Sequence, residues 1–456
     1  MDKYLLTEEK KRIEHLYNTI QKNLYKQTST DIKDTLYNII LNNKDSSIED
    51  ILNYYTDLLE IKMRPLLDNH LTKGLQYGIK NNCFQIETYG GTYITNNKEK
   101  NINESTLFSF DSISKLITSI ITMQEIRKNN FNLNTTITTI DNSYQLDATI
   151  ESILKFTACV KTEKRIDNLS KEETISILKK CKEDLETQKN NNQYYQYSDI
   201  GYMILRQTIP NFINNLDKLL LEIDPNNLTY KPEKQKENIT GGKIYQEYLT
   251  PDPKGKDILF PGHTGLYGNI SGLLNLFDSL INTDTILTKE EKEILLKQPY
   301  INPMIYNKEK NKYQYTNKIA GLFKIPNGIT TNYDKLSSFD IANQTTKHAT
   351  ASSGTCGSWV TSDNLKTNNL FGPYTAGILT NPYTFVENKP YPNTKNTLSN
   401  TPLEVNQKGV IIGYSKELNH YKENLTNYAI LLELITQYLN LNNNQEINRK
   451  KLKKMI

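Results

Sequence analysis

Two short stretches of the chain carry side chains that could do chemistry together. Ser112 and Lys115 stand three residues apart at the head of an apolar run, Ser112-Ile113-Ser114-Lys115-Leu116-Ile117. On a helix, positions i and i+3 share a face, so the lysine amine can reach the serine hydroxyl. A helix N-terminus at that serine adds backbone N–H groups and a favourable field for a developing oxyanion. A lysine in a partly buried place can have its proton affinity lowered and help take the serine proton. Further along, Tyr197-Ser198-Asp199 leads into a second apolar helix that begins near Ile200. A phenol with an ordinary pKa near 10 becomes a usable base only beside positive charge, which Lys115 supplies. The pattern suits a serine activated for acyl transfer, with Asp199 either orienting Lys115 or capping the helix that follows it.

These side chains need a scaffold, and the hydrophobic pattern outlines one. Leu75 to Ile79 and Phe84 to Tyr89 flank Lys80-Asn81-Asn82 as the strands of a tight hairpin do. Residues 112–130 have helical character, and 142–235 are mostly helical with polar interruptions. Strand-like pieces return at 317–324, 355–361 and 374–380, and Tyr428 to Leu439 forms an amphipathic helix. Strands at both ends with helices between them predict an α/β protein of the α+β kind, its one sheet assembled from distant segments. Ahead of this domain, Ile13, Leu16, Ile20, Ile32, Leu36, Ile39 and Ile40 keep helical spacing, with Thr30-Asp31 and Ser46-Ser47 as N-cap regions. The expected division is an N-terminal helical extension over 1–65 that packs on the main domain, a catalytic domain over 66–442, and a basic tail over 443–456.

Composition narrows the classes. The 456 residues suffice for a large core, and 37% hydrophobic with 23% charged residues excludes collagen-like, disulfide-dense and low-complexity chains. Lys+Arg 55 against Asp+Glu 51 gives a net charge of +4, and positive charge concentrates only at Arg449-Lys450-Lys451-Leu452-Lys453-Lys454, which reads as a solvated end. Nucleic-acid binding is not indicated. The N-terminus lacks a secretory pattern, and no uncharged apolar run approaches the ~18–20 residues that span a bilayer. Cys83, Cys159, Cys181 and Cys356 show no CxxC pairing, so zinc ligation is not expected. A cytoplasmic protein with reduced thiols, no membrane span, and a small-molecule or short-peptide substrate is the expectation.

Five segments in order resemble the serine β-lactamase-like hydrolases, in the branch with class C β-lactamases, D-alanyl-D-alanine carboxypeptidases, D-aminopeptidases and serine esterases. Thr106-Leu107-Phe108 before Ser112-Ile113-Ser114-Lys115 looks like that family's TLF…SVSK, and SxxK is one of its established motifs. Residues 123–134, Met123 to Asn134, look like its L-x-E-x-G-K-L-x-L-D, and Tyr197-Ser198-Asp199 stands where it has Y-x-N. Gly262-His263-Thr264-Gly265-Leu266-Tyr267-Gly268 is similar to GHAGLFS, and Ile378-Leu379-Thr380-Asn381 to LLTN. The resemblance implies a β-lactamase/transpeptidase-like fold, an antiparallel sheet flanked by helices plus an all-helical lobe, with no metal or organic cofactor. It implies Ser112 as the acylated nucleophile, Lys115 as its proton partner and Tyr197 as the general base. The expected activity is hydrolysis of a small ester or amide. Alternatives are transfer of the acyl group to an amine or alcohol, or a catalytically altered ligand-binding member.

The chain departs from the family at two places. Asp199 replaces the usual Asn, so it cannot donate an amide hydrogen bond to a substrate carbonyl. The third motif, normally K-T-G or H-x-G, has no cation: the register is either Ala349-Thr350-Ala351 or Ser352-Ser353-Gly354, with Lys347 and His348 just before. Ser352 supplies the strand's oxyanion N–H in the first register and Thr355 in the second, beside the N–H of Ser112. Losing the cation disfavours substrates held by a carboxylate and favours neutral esters or amides. His263 is expected to serve a turn and not catalysis, Cys356 and Trp359 to pack in the core, and Tyr267 to line the pocket.

Overall fold

A computed structural model of the chain describes residues 3–21, 24, 26–43, 45–69, 72–95, 98–158, 160–162, 171–183, 198–231, 260–296, 304–307, 312–315, 318–319, 322–323, 350–353, 358–363, 373–380, 385–386, 389–390, 414–443 and 450–456. Three helices open it: α1 (Lys3–Gln21), α2 (Lys26–Asn42) and α3 (Ile48–Met63). The Ser47 cap is real. Its hydroxyl accepts from Asp50 N while the Asp50 carboxylate accepts from Ser47 N, a reciprocal box that fixes the start of α3. Thr30-Asp31 lies inside α2 and starts nothing.

The hairpin follows as β1 (Gly74–Lys80) and β2 (Phe84–Thr95). Asn81 closes its turn, its side-chain oxygen accepting from the N–H groups of Cys83 and Phe84. The helical lobe then begins with the two-residue strand β3 (Phe108–Ser109), a 3-10 turn (Asp111–Ile113) and α4 (Ser114–Lys128). It continues through α5 (Asp199–Thr208) and α6 (Phe212–Ile223), and β4 (Tyr267–Gly268) leads into α7 (Ile270–Ile281). The sheet resumes as β5 (Thr350–Ser353), β6 (Trp359–Asp363) and β7 (Tyr374–Thr380). Helix α8 (Tyr414–Asn443) and strand β8 (Lys450–Met455) end the chain.

Among the described residues the main sheet has nine strands. Lys318–Ile319 and Leu322–Phe323 form one edge, followed by β5, β6, β7, β1, β2 and β8, while Lys98–Asn101 pairs with the far end of β2. The expected piece at 317–324 is therefore two short strands folded on each other, Lys318 opposite Phe323. Every neighbour pair is antiparallel except β2 with β8. All seven residues of β7 are buried because both faces of the sheet are covered, which is why apolar side chains stand on both, Ala376 and Ile378 on one and Leu379 on the other.

One face carries α1–α3 and α8, packed around Leu75, Tyr77, Ile79, Ile86, Trp359 and Ile378. Tyr55 of α3 reaches α8 directly, its phenol donating to the Tyr428 carbonyl at 2.7 Å, so the N-terminal helices are built into this layer. The other face carries α7 and the helical lobe, with Val360 and Leu379 turned toward Leu273, Ile270 and the apolar side of α4. Trp359 is fully buried, as expected for a core residue.

The basic segment at the end is part of the sheet. Lys451 pairs with the buried Glu87 at 2.9 Å and donates to Ser271 at 2.5 Å; Lys453 pairs with Glu104, and Lys454 with Asp57 and Glu60. Leu452 and Ile456 share the face of Lys454 and turn away from Lys451 and Lys453, against the core of the N-terminal helical layer. Alternation in the strand separates Lys451 and Lys453 from Leu452 and Lys454, and Glu87 and Glu104 receive the charges on one side while Asp57 and Glu60 of α3 receive that of Lys454 on the other. Among the described residues no helix is long and apolar enough to cross a membrane.

Candidate functional site

The residues just before Ser112 are clamped on two sides. In β3 and β4, Phe108 lies opposite Gly268 and Ser109 opposite Tyr267, and Phe110 N–H donates to the Leu266 carbonyl at 2.9 Å. Ser358, at the entry to β6, donates its hydroxyl to the Phe110 carbonyl at 3.3 Å. The backbone then reverses at Asp111, whose φ of 46° lies in the left-handed region. Its buried side chain stabilises that conformation locally. Ser109 Oγ donates to the Asp111 carboxylate at 2.9 Å and accepts from Asp111 N–H at 3.2 Å. The reversal leaves Ser112 partly exposed in the 3-10 turn that feeds α4.

Lys115 has no solvent exposure, yet its ammonium is well supplied with acceptors. Nζ lies 3.0 Å from Ser112 Oγ, 3.2 Å from the His263 carbonyl and 2.7 Å from Asp199 Oδ1. Three N–H donors thus meet three oxygens, and the buried positive charge is matched by a carboxylate. The Tyr202 ring, one turn along α5 from Asp199, sits 6.0 Å from Nζ and contributes a cation–π contact. Asp199 is the first residue of α5, and Ser198 at the cap makes no side-chain cap bond. Of the two roles open to Asp199 in the sequence, the ion pair with Lys115 is the one that the geometry displays.

The wall over Lys115 comes from the loop 262–266. Thr118 Oγ1 donates to the Gly262 carbonyl at 2.6 Å, and Leu266 N–H donates to Ser114 Oγ at 3.0 Å, so one face of α4 holds the loop by two bonds. Gly262 has φ 100°, and a Cβ built there would stand 2.5 Å from the Tyr202 carbonyl, so no other residue fits without displacing α5. His263 enters the site through its backbone oxygen. Tyr267 does not stand open to a pocket: it is buried against Leu107 on the small β3–β4 sheet. Ser114, Thr118 and the His263 carbonyl escaped the sequence, although the spacing of Ser114 and Thr118 on one helical face was a usable signal.

Ser112, Lys115 and Asp199 are therefore brought together. Ser352 lies on β5, which runs beside the 3-10 turn holding Ser112. Tyr197, Thr355, Ala349, Lys347, His348, Cys356 and Cys159 lie outside the described residues. Among the described residues no group of three or more His, Cys, Asp or Glu side chains is placed to hold a metal ion.

No family model matches the chain, and no curated protein sequence does. Solved structures do. A β-lactamase/D-alanine carboxypeptidase from Yersinia pestis is 11% identical with a TM-score of 0.50, covering 85% of this chain and 99% of its own. A protein of the same description from Pseudomonas syringae is 12% identical with a TM-score of 0.48, covering 81% and 99%. An octameric penicillin-binding protein homologue from Pyrococcus abyssi is 14% identical with a TM-score of 0.46, covering 72% and 73%. Mixed helix and antiparallel sheet agree with the first of these in architecture: the chain has the β-lactamase/D-alanine carboxypeptidase fold.

Proposed function

We propose that the protein is a serine hydrolase that works through an ester on Ser112. The observation that carries this is the fully buried Lys115 with its ammonium 3.0 Å from Ser112 Oγ, because a lysine is held out of water beside a serine only at a cost that chemistry can justify. As an ammonium donating to Oγ, Lys115 stabilises the serine oxygen as negative charge builds on it. The proton released by Ser112 then needs another acceptor. Tyr197, two residues before Asp199, takes that role in this proposal: the phenol accepts the proton on attack and returns it to the leaving group. The tetrahedral oxyanion is received by the N–H of Ser112 and by an N–H of the third-motif strand, that of Ser352 in one register or Thr355 in the other.

The substrate is a small ester or amide. Strand β5, Thr350-Ala351-Ser352-Ser353, carries no cation, which removes the usual anchor for a carboxylate. Water completes the cycle by attacking the acyl ester on the face that the leaving group vacates. The test is intact-protein mass spectrometry after incubation with a neutral alkyl fluorophosphonate. One adduct per chain, absent in Ser112→Ala and much slower to form in Lys115→Met, is the expected result. Equal labelling of wild type and Ser112→Ala would overturn the proposal.

A further inference from the structure

Around Ser112 the described charges are unusually arranged. The cation, Lys115, is wholly enclosed, whereas the carboxylate that pairs with it, Asp199, keeps 49% of its side-chain surface in contact with solvent. Nζ is shared by both contacts, at 2.7 Å to Asp199 and 3.0 Å to Ser112, so a carboxylate oxygen lies within about 6 Å of the nucleophile. A second carboxyl, that of Asp111, is buried in the residue preceding Ser112. Arg206, on the same helix as Asp199, directs Nε to the Phe260 carbonyl at 3.1 Å, two helical turns away from Asp199. Beside Ser112 the ammonium is thus enclosed, while the carboxylate within about 6 Å of the serine oxygen keeps half of its surface open to solvent.

We infer, building on the hydrolase function proposed above, that Asp199 selects substrates whose acyl part carries a positively charged amine close to the reacting carbonyl. An α-amine is separated from the serine oxygen by only the carbonyl carbon and one further carbon. Once the ester on Ser112 forms, its ammonium stands roughly 3–4 Å from Oγ, within ion-pair reach of a carboxylate about 6 Å from that atom. The family's usual Asn at this place offers an amide N–H to a substrate carbonyl; Asp199 exchanges that donor for an acceptor with charge. Together with the uncharged β5, this inverts the preference from anionic to cationic substrates. In the reaction, Ser112 Oγ bonds to the carbonyl carbon as the alcohol or amine leaves with the serine proton. Water then adds, giving the free amino acid and restoring the serine hydroxyl.

The experiment compares three benzyl esters on the full chain, in both enantiomers: alanine, N-acetylalanine and N-succinylalanine, which present a cation, no charge and an anion. Benzyl alcohol release gives kcat/KM, and fluorophosphonate labelling of the same preparation reports the activated serine independently. The alanine ester should exceed the acetylated one by about tenfold and the succinylated one by more, at near-neutral pH. In Asp199→Asn the ratio of cationic to neutral ester should fall toward one, whatever happens to the absolute rate, and Asp199→Glu should restore part of it. The preference should also fade above about pH 8, as the substrate amine loses its proton. Labelled protein that hydrolyses the acetylated ester as fast as the free amine overturns the inference and leaves the hydrolase intact. Absence of both labelling and turnover overturns the hydrolase and this inference with it.

Discussion

Replacing Lys422 with methionine should stabilise the protein by an amount that depends on pH. Lys422 lies in α8, 2% exposed, with its ammonium 6.0 Å from the centre of the Trp359 ring, and among the described residues no carboxylate pairs with it. Burial lowers its pKa from 10.5 to about 7. Between those two values the unfolded chain binds a proton that the folded chain does not, so stability rises with pH across the window. Below pH 7 both states are protonated and the folded state bears the full penalty, about 5 kcal/mol at 1.36 kcal/mol per pH unit. At pH 9.5 only about 1 kcal/mol of it remains. Methionine fills a similar volume and has no charge to bury. Urea unfolding of wild type and Lys422→Met, with unchanged m-values, should give a gain near 5 kcal/mol at pH 6.5 and near 1 kcal/mol at pH 9.5. The same gain at both pH values, or a loss at pH 6.5, would refute the reasoning.

Three further outcomes follow from particular contacts. Glu433, buried in the same helix, has its carboxyl raised well above the usual range by burial, with an Asn81 hydrogen bond opposing; the folded state holds a proton that the unfolded state releases, so stability is lost as pH rises past the ordinary value, and Glu433→Gln should stabilise at pH 8 but hardly at pH 4 in the same urea assay. Lys451→Ala strands the 3%-exposed Glu87 side chain without its counter-ion and should cost about 3 kcal/mol, read as a lower urea midpoint, while Lys451→Arg should restore most of it. Gly262→Ala forces a Cβ against the Tyr202 carbonyl at a φ of 100°; it should cost about 2 kcal/mol and slow fluorophosphonate labelling at least tenfold, because the loop that it displaces carries the His263 carbonyl bound to Lys115.

What could be seen in the sequence were the features with local causes. The hairpin at β1 and β2, the run at β7 and the Ser112–Lys115 spacing each depend on a few neighbouring residues, and each stands in the structure where the pattern puts it. Features with distant causes were hidden. The string Lys450-Lys451-Leu452-Lys453-Lys454 has the composition of a solvated tail, and only Glu87, Glu104, Asp57 and Glu60, hundreds of residues earlier, turn it into an edge strand. The left-handed Asp111 is equally silent, since its conformation rests on Ser109 Oγ and on β3 pairing with β4. The His263 carbonyl could not be found by looking for reactive side chains, because the group that meets Lys115 is backbone.

The central claim, that Ser112 becomes acylated, is tested most directly by trapping the intermediate. The protein is mixed with a slowly hydrolysed activated ester, quenched in acid within the first turnover, digested, and the peptide containing Ser112 is weighed. The account predicts a mass gain of one acyl group on Ser112, appearing as a burst and decaying as hydrolysis proceeds, and absent in Ser112→Ala. Ester turnover with no acyl group on that peptide, and undiminished in Ser112→Ala, would contradict it.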